Sequence, residues 1–230
     1  MIKSGSREEL EHYIEKYELH SILSEDMRKF MELFTYRRNE HIIRAGEQIE
    51  YLYFLVKGKA KVYATLSNGK SLLLCFYKGF RVLGELEILD SGRSVNNVQV
   101  IEDSCCIAIA AEHVGKYLLQ DVRFLRFICD SLGDKLYQCS RNSSINLLYS
   151  LESRLASYIV TTVEKKGSNG HTVMIFDENL TETAELLGTS YRHLLRTLKL
   201  LCSERLLRKA GKRYEVTDIS ELMRISAELY

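Results

Sequence analysis

Between residues 41 and 110 the chain breaks into apolar runs of about five to eight residues, rich in Ile, Val, Leu, Tyr and Phe. Gly46, Gly58, Gly69, Gly79, Gly84 and Gly92 punctuate them. Runs this short, separated by turn residues, predict strands that close into a β-roll or barrel. The 230 residues contain no proline, so the turns must rest on Gly, Asn, Asp and Ser. One hairpin is specific: residues 61–67 and 70–77 flank Asn68-Gly69, the dipeptide that a type I′ turn favours.

Helical periodicity flanks this segment on both sides. Leu10, Tyr13, Ile14 and Tyr17, then Met27, Phe30, Met31 and Phe34, predict two short lead-in helices, with Ser24 ahead of Glu25 and Asp26 as an N-cap. After the roll comes a short helix over 112–119, then a longer one from near 121 towards 149. Its Leu125, Cys129, Leu132, Leu136, Cys139 and Ser143 recur at alternating spacings of four and three, a heptad seam. Two readings stand: a helix packed on its own roll, and a helix that pairs with a second copy. Gly133 and the polar stretch 138–146 weaken an isolated helix, so tertiary or partner contacts must compensate. Beyond it lie a helix carrying Leu151, Leu155, Tyr158 and Ile159, a Gly-Ser-Asn-Gly turn at 167–170, a strand over 172–176, two helices and a second hairpin. The expected organisation is α+β: a lead-in and β-roll sensor unit over 1–120, a long dimerisation helix over 121–149, and a winged helix-turn-helix over 150–230.

The last unit carries the chemistry. Leu187, Leu194, Leu195 and Leu198 fit two short helices broken at Gly188, and Ala184, four residues before it, leaves room for the helices to cross. From 190 to 213 there are eight basic residues (Arg192, Arg196, Lys199, Arg205, Arg208, Lys209, Lys212, Arg213) against one acid, Glu204, in a chain of net charge +1. Such a concentration is what neutralisation of phosphates requires. With Ser190 as N-cap, Tyr191, Arg192, Arg196 and Lys199 project opposite the leucines, and the two arginines are suited to guanine edges in a major groove. The stretches 206–208 and 214–216, joined through a tip that carries Lys212 and Arg213, predict a wing.

Composition narrows the alternatives. With 46% apolar residues and 27% charged the chain reads as soluble and globular. Its longest apolar run, residues 72–77, is far short of the roughly 20 residues of a membrane span, and the N-terminus lacks the apolar core of a signal peptide. The expected location is the cytoplasm, with no membrane partner. Cys75, Cys105, Cys106, Cys129, Cys139 and Cys202 are then free thiols, and no Cys-x-x-Cys or zinc-ligand spacing occurs, so no metal site is predicted. Cys105 and Cys106 are expected to face opposite sides of a strand, and Cys129 and Cys139 the helix seam, which leaves thiol sensing beside a packing role. No Gly-x-Ser-x-Gly, His-Glu-x-x-His or Walker pattern supports an enzyme. The rival to DNA binding is a ligand-binding or protein-interaction module whose basic helix meets an acidic partner.

A β-roll, a long helix and a C-terminal winged helix in this order resemble the Crp-Fnr superfamily of bacterial transcription regulators over nearly the whole chain. The landmarks are Gly46, the 51–56 strand leading into Gly58, Asn68-Gly69, Lys78-Gly79 and above all Gly84-Glu85-Leu86 followed by Arg93-Ser94. The stretches Gly-Glu-Leu-Glu at 84–87 and Ser-Tyr-Arg-His-Leu-Leu at 190–195 look closest to the YeiL-type subgroup. The resemblance implies a homodimer on double-stranded DNA with two half-sites, and RNA polymerase as a further partner if the protein activates. It also implies a cyclic nucleotide as the candidate cofactor. A short helix after Gly84 would present its amides to the phosphate, Glu85 would accept from the ribose hydroxyl, Arg93 and Ser94 would hold the phosphate, and Ser140 would stand where nucleotide-binding members contact adenine. Two departures count against the nucleotide: only eight positions separate Glu85 from Arg93, and Val95-Asn96-Asn97 replaces the usual small residues. The alternative is a Glu85–Arg93 salt bridge in a relic pocket. Tyr191-Arg192 also departs from the arginine–glutamate pair that follows the capping serine in cyclic AMP receptor-like members, so the operator sequence does not carry over.

Overall fold

The computed structural model describes residues 2–3, 6–89, 93–168 and 171–226. The chain divides into two compact units, residues 1–64 with 75–139, and 140–230 with 65–74. Two expected features, Gly92 and the Asn169-Gly170 end of a turn, lie outside the described residues.

From the N-terminus, β1 (Ile2–Lys3) and α1 (Arg7–Lys16) precede β2 (Met31–Tyr36), β3 (His41–Ile43), β4 (Tyr51–Lys57), β5 (Lys59–Thr65), β6 (Ser71–Lys78) and β7 (Arg81–Leu83). There follow α2 (Glu85–Leu89), β8 (Asn97–Val100), β9 (Ser104–Ala110), α3 (Ala111–His113) with a π-helical turn at Val114–Leu118, and the long α4 (Val122–Leu148). Two antiparallel sheets make the roll, in the orders β1-β2-β9-β4-β7 and β3-β8-β5-β6. Leu33, Leu52, Phe54, Ile107 and Ile109 form its interior with Leu10 and Ile14 of α1 and Phe124 and Ile128 of α4.

Only the first of the two lead-in helices forms. Residues 19–30 make two 3₁₀ turns, and Met31 to Tyr36 are a strand paired to β9 from Met31↔Ile109 to Tyr36↔Ser104. Helical spacing of the apolar residues yields here to a sheet that offers six backbone partners at once, because local propensity is a weak prior against tertiary pairing. Ser24 caps no helix: its amide and hydroxyl both donate to the Asp121 carboxylate, at 2.6 and 2.7 Å. Asp121 in turn accepts from the amide of Arg123 at 2.9 Å and so caps α4.

The β5–β6 hairpin forms, but its turn is not type I′. The Gly69 amide donates to Leu66 O and the Leu66 amide to Lys70 O, both at 2.8 Å, and Gly69 alone in the turn has positive φ, +78°. That is a three-residue loop closed by a left-handed glycine. Asn68 acts through its side chain, which accepts from the Lys70 amide at 3.0 Å.

In the second unit α5 (Leu151–Thr162), capped by Ser150, leads into β10 (Glu164–Ser168) and β11 (His171–Phe176), so Gly167 and Ser168 belong to a strand rather than to the expected turn. Then come α6 (Leu180–Leu186), α7 (Tyr191–Ser203), β12 (Leu207–Ala210), β13 (Arg213–Val216) and α8 (Ile219–Ser226). The sheet order is β10-β11-β13-β12. Its core joins Leu155, Tyr158, Phe176, Ala184, Leu194, Leu198 and Leu222.

Candidate nucleic-acid interface and sensor pocket

The pair α6–α7 is built from its caps inward. Asn179 accepts from the amides of Thr181 (3.0 Å) and Glu182 (3.3 Å), and Ser190 from that of His193 (3.2 Å). Each cap satisfies donors that the first turn leaves open. Arg154 of α5 donates to Leu187 O at 2.7 Å, at the C-terminal end of α6. Leu194, Thr197, Leu198 and Leu201 are buried, and Tyr191, Arg192, Arg196 and Lys199 are exposed, so α7 turns the expected residues outward. Leu195 is half-buried.

The wing is a two-residue turn over Gly211 and Lys212 closing the Ala210↔Arg213 pair. Its charges are not equivalent. Arg208 pairs with Glu215 across the hairpin, through Nε at 2.9 Å, and Arg213 Nε lies 2.8 Å from Asp177. The other six basic residues of 190–213, Lys212 among them, make no ion pair among the described residues. Sequence reasoning missed both neutralising acids; cross-strand register, which pairs Arg208 with Glu215, was the signal available for one of them.

In the roll, Gly84 has φ +86°, a conformation that favours glycine, and a Cβ there would stand a tight 3.1 Å from Tyr51 O. Glu85 follows it into α2 and is 3% exposed. Its carboxylate receives the ammonium of Lys135 from α4, which also donates to Val82 O at 2.7 Å and sits 5.2 Å from the centroid of the Tyr77 ring. Leu86 is exposed. Arg93 is exposed and donates Nη1 to Gly46 O at 2.9 Å. The Ser94 hydroxyl, buried, lies 2.8 Å from both Glu87 Oε1 and Asn96 O. Ser140 is exposed on α4.

This arrangement does not fit a cyclic nucleotide held as the resemblance implies. The carboxylate meant for a ribose hydroxyl is buried against an ammonium, the serine meant for the phosphate is engaged with a carboxylate and a carbonyl, and α2 is a single short turn of helix. The relic-pocket alternative is corrected in its partner: the cation on Glu85 is Lys135. The signal for Lys135 is in the sequence, as a lysine on the stripe of Phe124 and Ile128, eleven and seven residues before it.

Of the two roles open to the thiols of β9, burial favours packing. Cys105 and Cys106 are both buried, because β9 is the central strand of its sheet and both faces are covered. Burial raises both thiols. Burial likewise pushes Cys75 up to about 11. Cys129 and Cys139 are exposed on α4. Of the heptad seam, Leu125 and Leu132 are half-buried and Leu136 is 73% exposed; the Ser143 side chain lies outside the described residues.

A roll with an α4 lid, followed by a capped helix-turn-helix and a basic wing, defines a transcription regulator with a sensor domain and a DNA-binding domain. Residues 33–121 match the cyclic nucleotide-binding domain family and 153–225 the Crp-like helix-turn-helix domain family. The chain is 33% identical over 197 residues, 86% of each chain, to the regulatory protein YeiL of Escherichia coli O157:H7. It is 23% identical over 182 residues, 78% of this chain and 81% of the other, to the cAMP-activated global transcriptional regulator CRP of Haemophilus influenzae. A solved structure of a Crp/Fnr-family putative transcriptional regulator from Eubacterium rectale superposes with TM-score 0.71 at 12% identity, covering 96% of this chain and 95% of that one. The chain belongs to the Crp-Fnr family of transcription regulators.

Proposed function

We propose that the protein acts as a cytoplasmic homodimer in which the seam of α4 pairs two copies and two α7 helices read half-sites about one DNA turn apart. The observation that carries this reading is α7 itself: a capped helix with leucines inside and Tyr191, Arg192, Arg196 and Lys199 outside, beside a wing that keeps Lys212 unneutralised. Exposed Leu136 supports pairing, since a water-facing leucine on the seam of a helix is stabilised by a partner's matching stripe. No helix among the described residues is long and apolar enough to cross a membrane. RNA polymerase is the further partner if the protein activates.

The signal shifts a population of dimers between arrangements of the two reading heads. Selection of bound duplexes from a random pool tests the reading: an enriched two-fold-symmetric site is expected. Arg196→Ala should then weaken binding to it by roughly 1–3 kcal/mol and relax selectivity at one base of each half-site. Selectivity that survives unchanged would show that Arg196 reads no base, and an unenriched pool would favour an acidic protein partner for the basic helix.

A further inference from the structure

Lys135 and Glu85 are fifty residues apart and belong to α4 and α2, yet they make a close ion pair with only 18% and 3% of their side chains exposed. Removing an ammonium from water is costly unless its donors are met. Here three acceptors surround it: the Glu85 carboxylate, the Val82 carbonyl at 2.7 Å and the face of the Tyr77 ring. Carboxylate, carbonyl and aromatic face together are the recognition chemistry of an alkylammonium ion. They have little to offer a phosphate or a second anion.

We infer that Glu85, Val82 O and Tyr77 form an alkylammonium site, and that its resident occupant is the side chain of Lys135. The occupant serves two ends. It ties α4 to β7 and α2 by itself, and it closes the buried carboxylate to hydroxyl donors, which makes Lys135 the residue that decides what the roll admits. A cavity of about 190 Å³ lined by Phe80, Arg81, Val82, Phe127, Asp134 and Lys135 adjoins the site and offers a free alkylammonium ion a route to compete. The inference rests on the roll alone, whatever the second unit reads.

The test is hydrogen exchange of the full-length protein, followed at the amides of residues 131–138 and of β7. In Lys135→Ala these amides should exchange at least about tenfold faster, because the tie that resists local opening is gone. Millimolar n-butylammonium chloride should restore slow exchange, and n-butanol, of the same length without the charge, should not. Unchanged exchange in Lys135→Ala, absence of rescue by butylammonium, or equal rescue by butanol overturns the assignment. Should Lys135→Ala fail to fold, Glu85→Gln, which keeps the shape and one acceptor, is expected to accelerate the same amides; its failure to do so is equally fatal. In the unaltered protein, calorimetric titration with cyclic AMP should give no saturable heat. Saturable binding with Lys135 in place would show Glu85 open to a hydroxyl donor and refute its closure.

Discussion

Two cations of the wing differ in a way that salt dependence of DNA binding reads directly. Lys212 stands at the tip without an ion-pair partner among the described residues, whereas Arg208 is matched by Glu215 two pairs beyond the closing Ala210↔Arg213 pair. Each neutralised phosphate contributes about 0.9 to the slope of log K against log salt. Lys212→Ala removes one such contact from each protomer, so a dimer on duplex DNA should lose about 1.8 from its slope. Taking those contacts to contribute nothing at about 1 M salt, the loss at about 0.15 M is roughly 30-fold, or ~2 kcal/mol. The compensated double variant Arg208→Met/Glu215→Gln removes a cation together with its acid and should leave the slope where it was. The assay is fluorescence anisotropy of a labelled duplex over a series of potassium chloride concentrations, with both variants checked for native unfolding profiles. An equal fall in slope for the two variants would refute the reasoning, since it would mean that Arg208 leaves Glu215 for phosphate at no cost. An unchanged slope in Lys212→Ala would remove the wing tip from the interface.

Three further outcomes are expected. Arg205 occupies a left-handed position, φ +61°, just past the end of α7, where the Leu206 amide reaches back to Leu201 O and the Arg205 amide to Cys202 O; Arg205→Gly should raise stability in thermal unfolding by about 0.5–1 kcal/mol. Burial pushes the Asp121 carboxyl up, but the donors from Ser24, Arg123 and Phe124 outweigh it and hold it below its ordinary value of 3.8; a lowered folded value gives stability that is present above pH 3.8 and is lost as pH falls through the folded value. Asp121→Asn should therefore cost about 2 kcal/mol at neutral pH and flatten the acid limb of a denaturation-against-pH series below about pH 4. Leu136→Glu should shift sedimentation from dimer towards monomer while the unfolding profile of the roll is kept; a stable dimer would place pairing elsewhere.

The order of elements and the outward face of α7 could be read from the chain because both depend on local periodicity. Glycines spaced through apolar runs mark strands, and leucines alternating with arginines at helical spacing mark a helix with one wet, charged side, whatever surrounds them. Ser190 and Asn179 act within four residues of themselves, which is why the first of these caps was legible. Met31 and Phe34 misled for the opposite reason: their spacing suits a helix, but the whole of β2 pairs with six residues of β9, and backbone hydrogen bonds to a strand 68–78 positions away leave no local mark.

Tertiary structure alone decided the charges. Whether Arg208 and Arg213 are available to DNA depends on Glu215 and Asp177, which a count of basic residues cannot include. Whether Glu85 awaits a ligand depends on Lys135, fifty residues further on, reaching back to it from α4. Burial settled the thiols in the same way, since Cys105 and Cys106 alternate on a strand both of whose faces are covered. Sequence determined which groups the protein possesses and which side of each helix or strand they leave by. The fold chose their partners, because ion pairing and desolvation act through space over a few ångströms, while sequence records only distance along the chain.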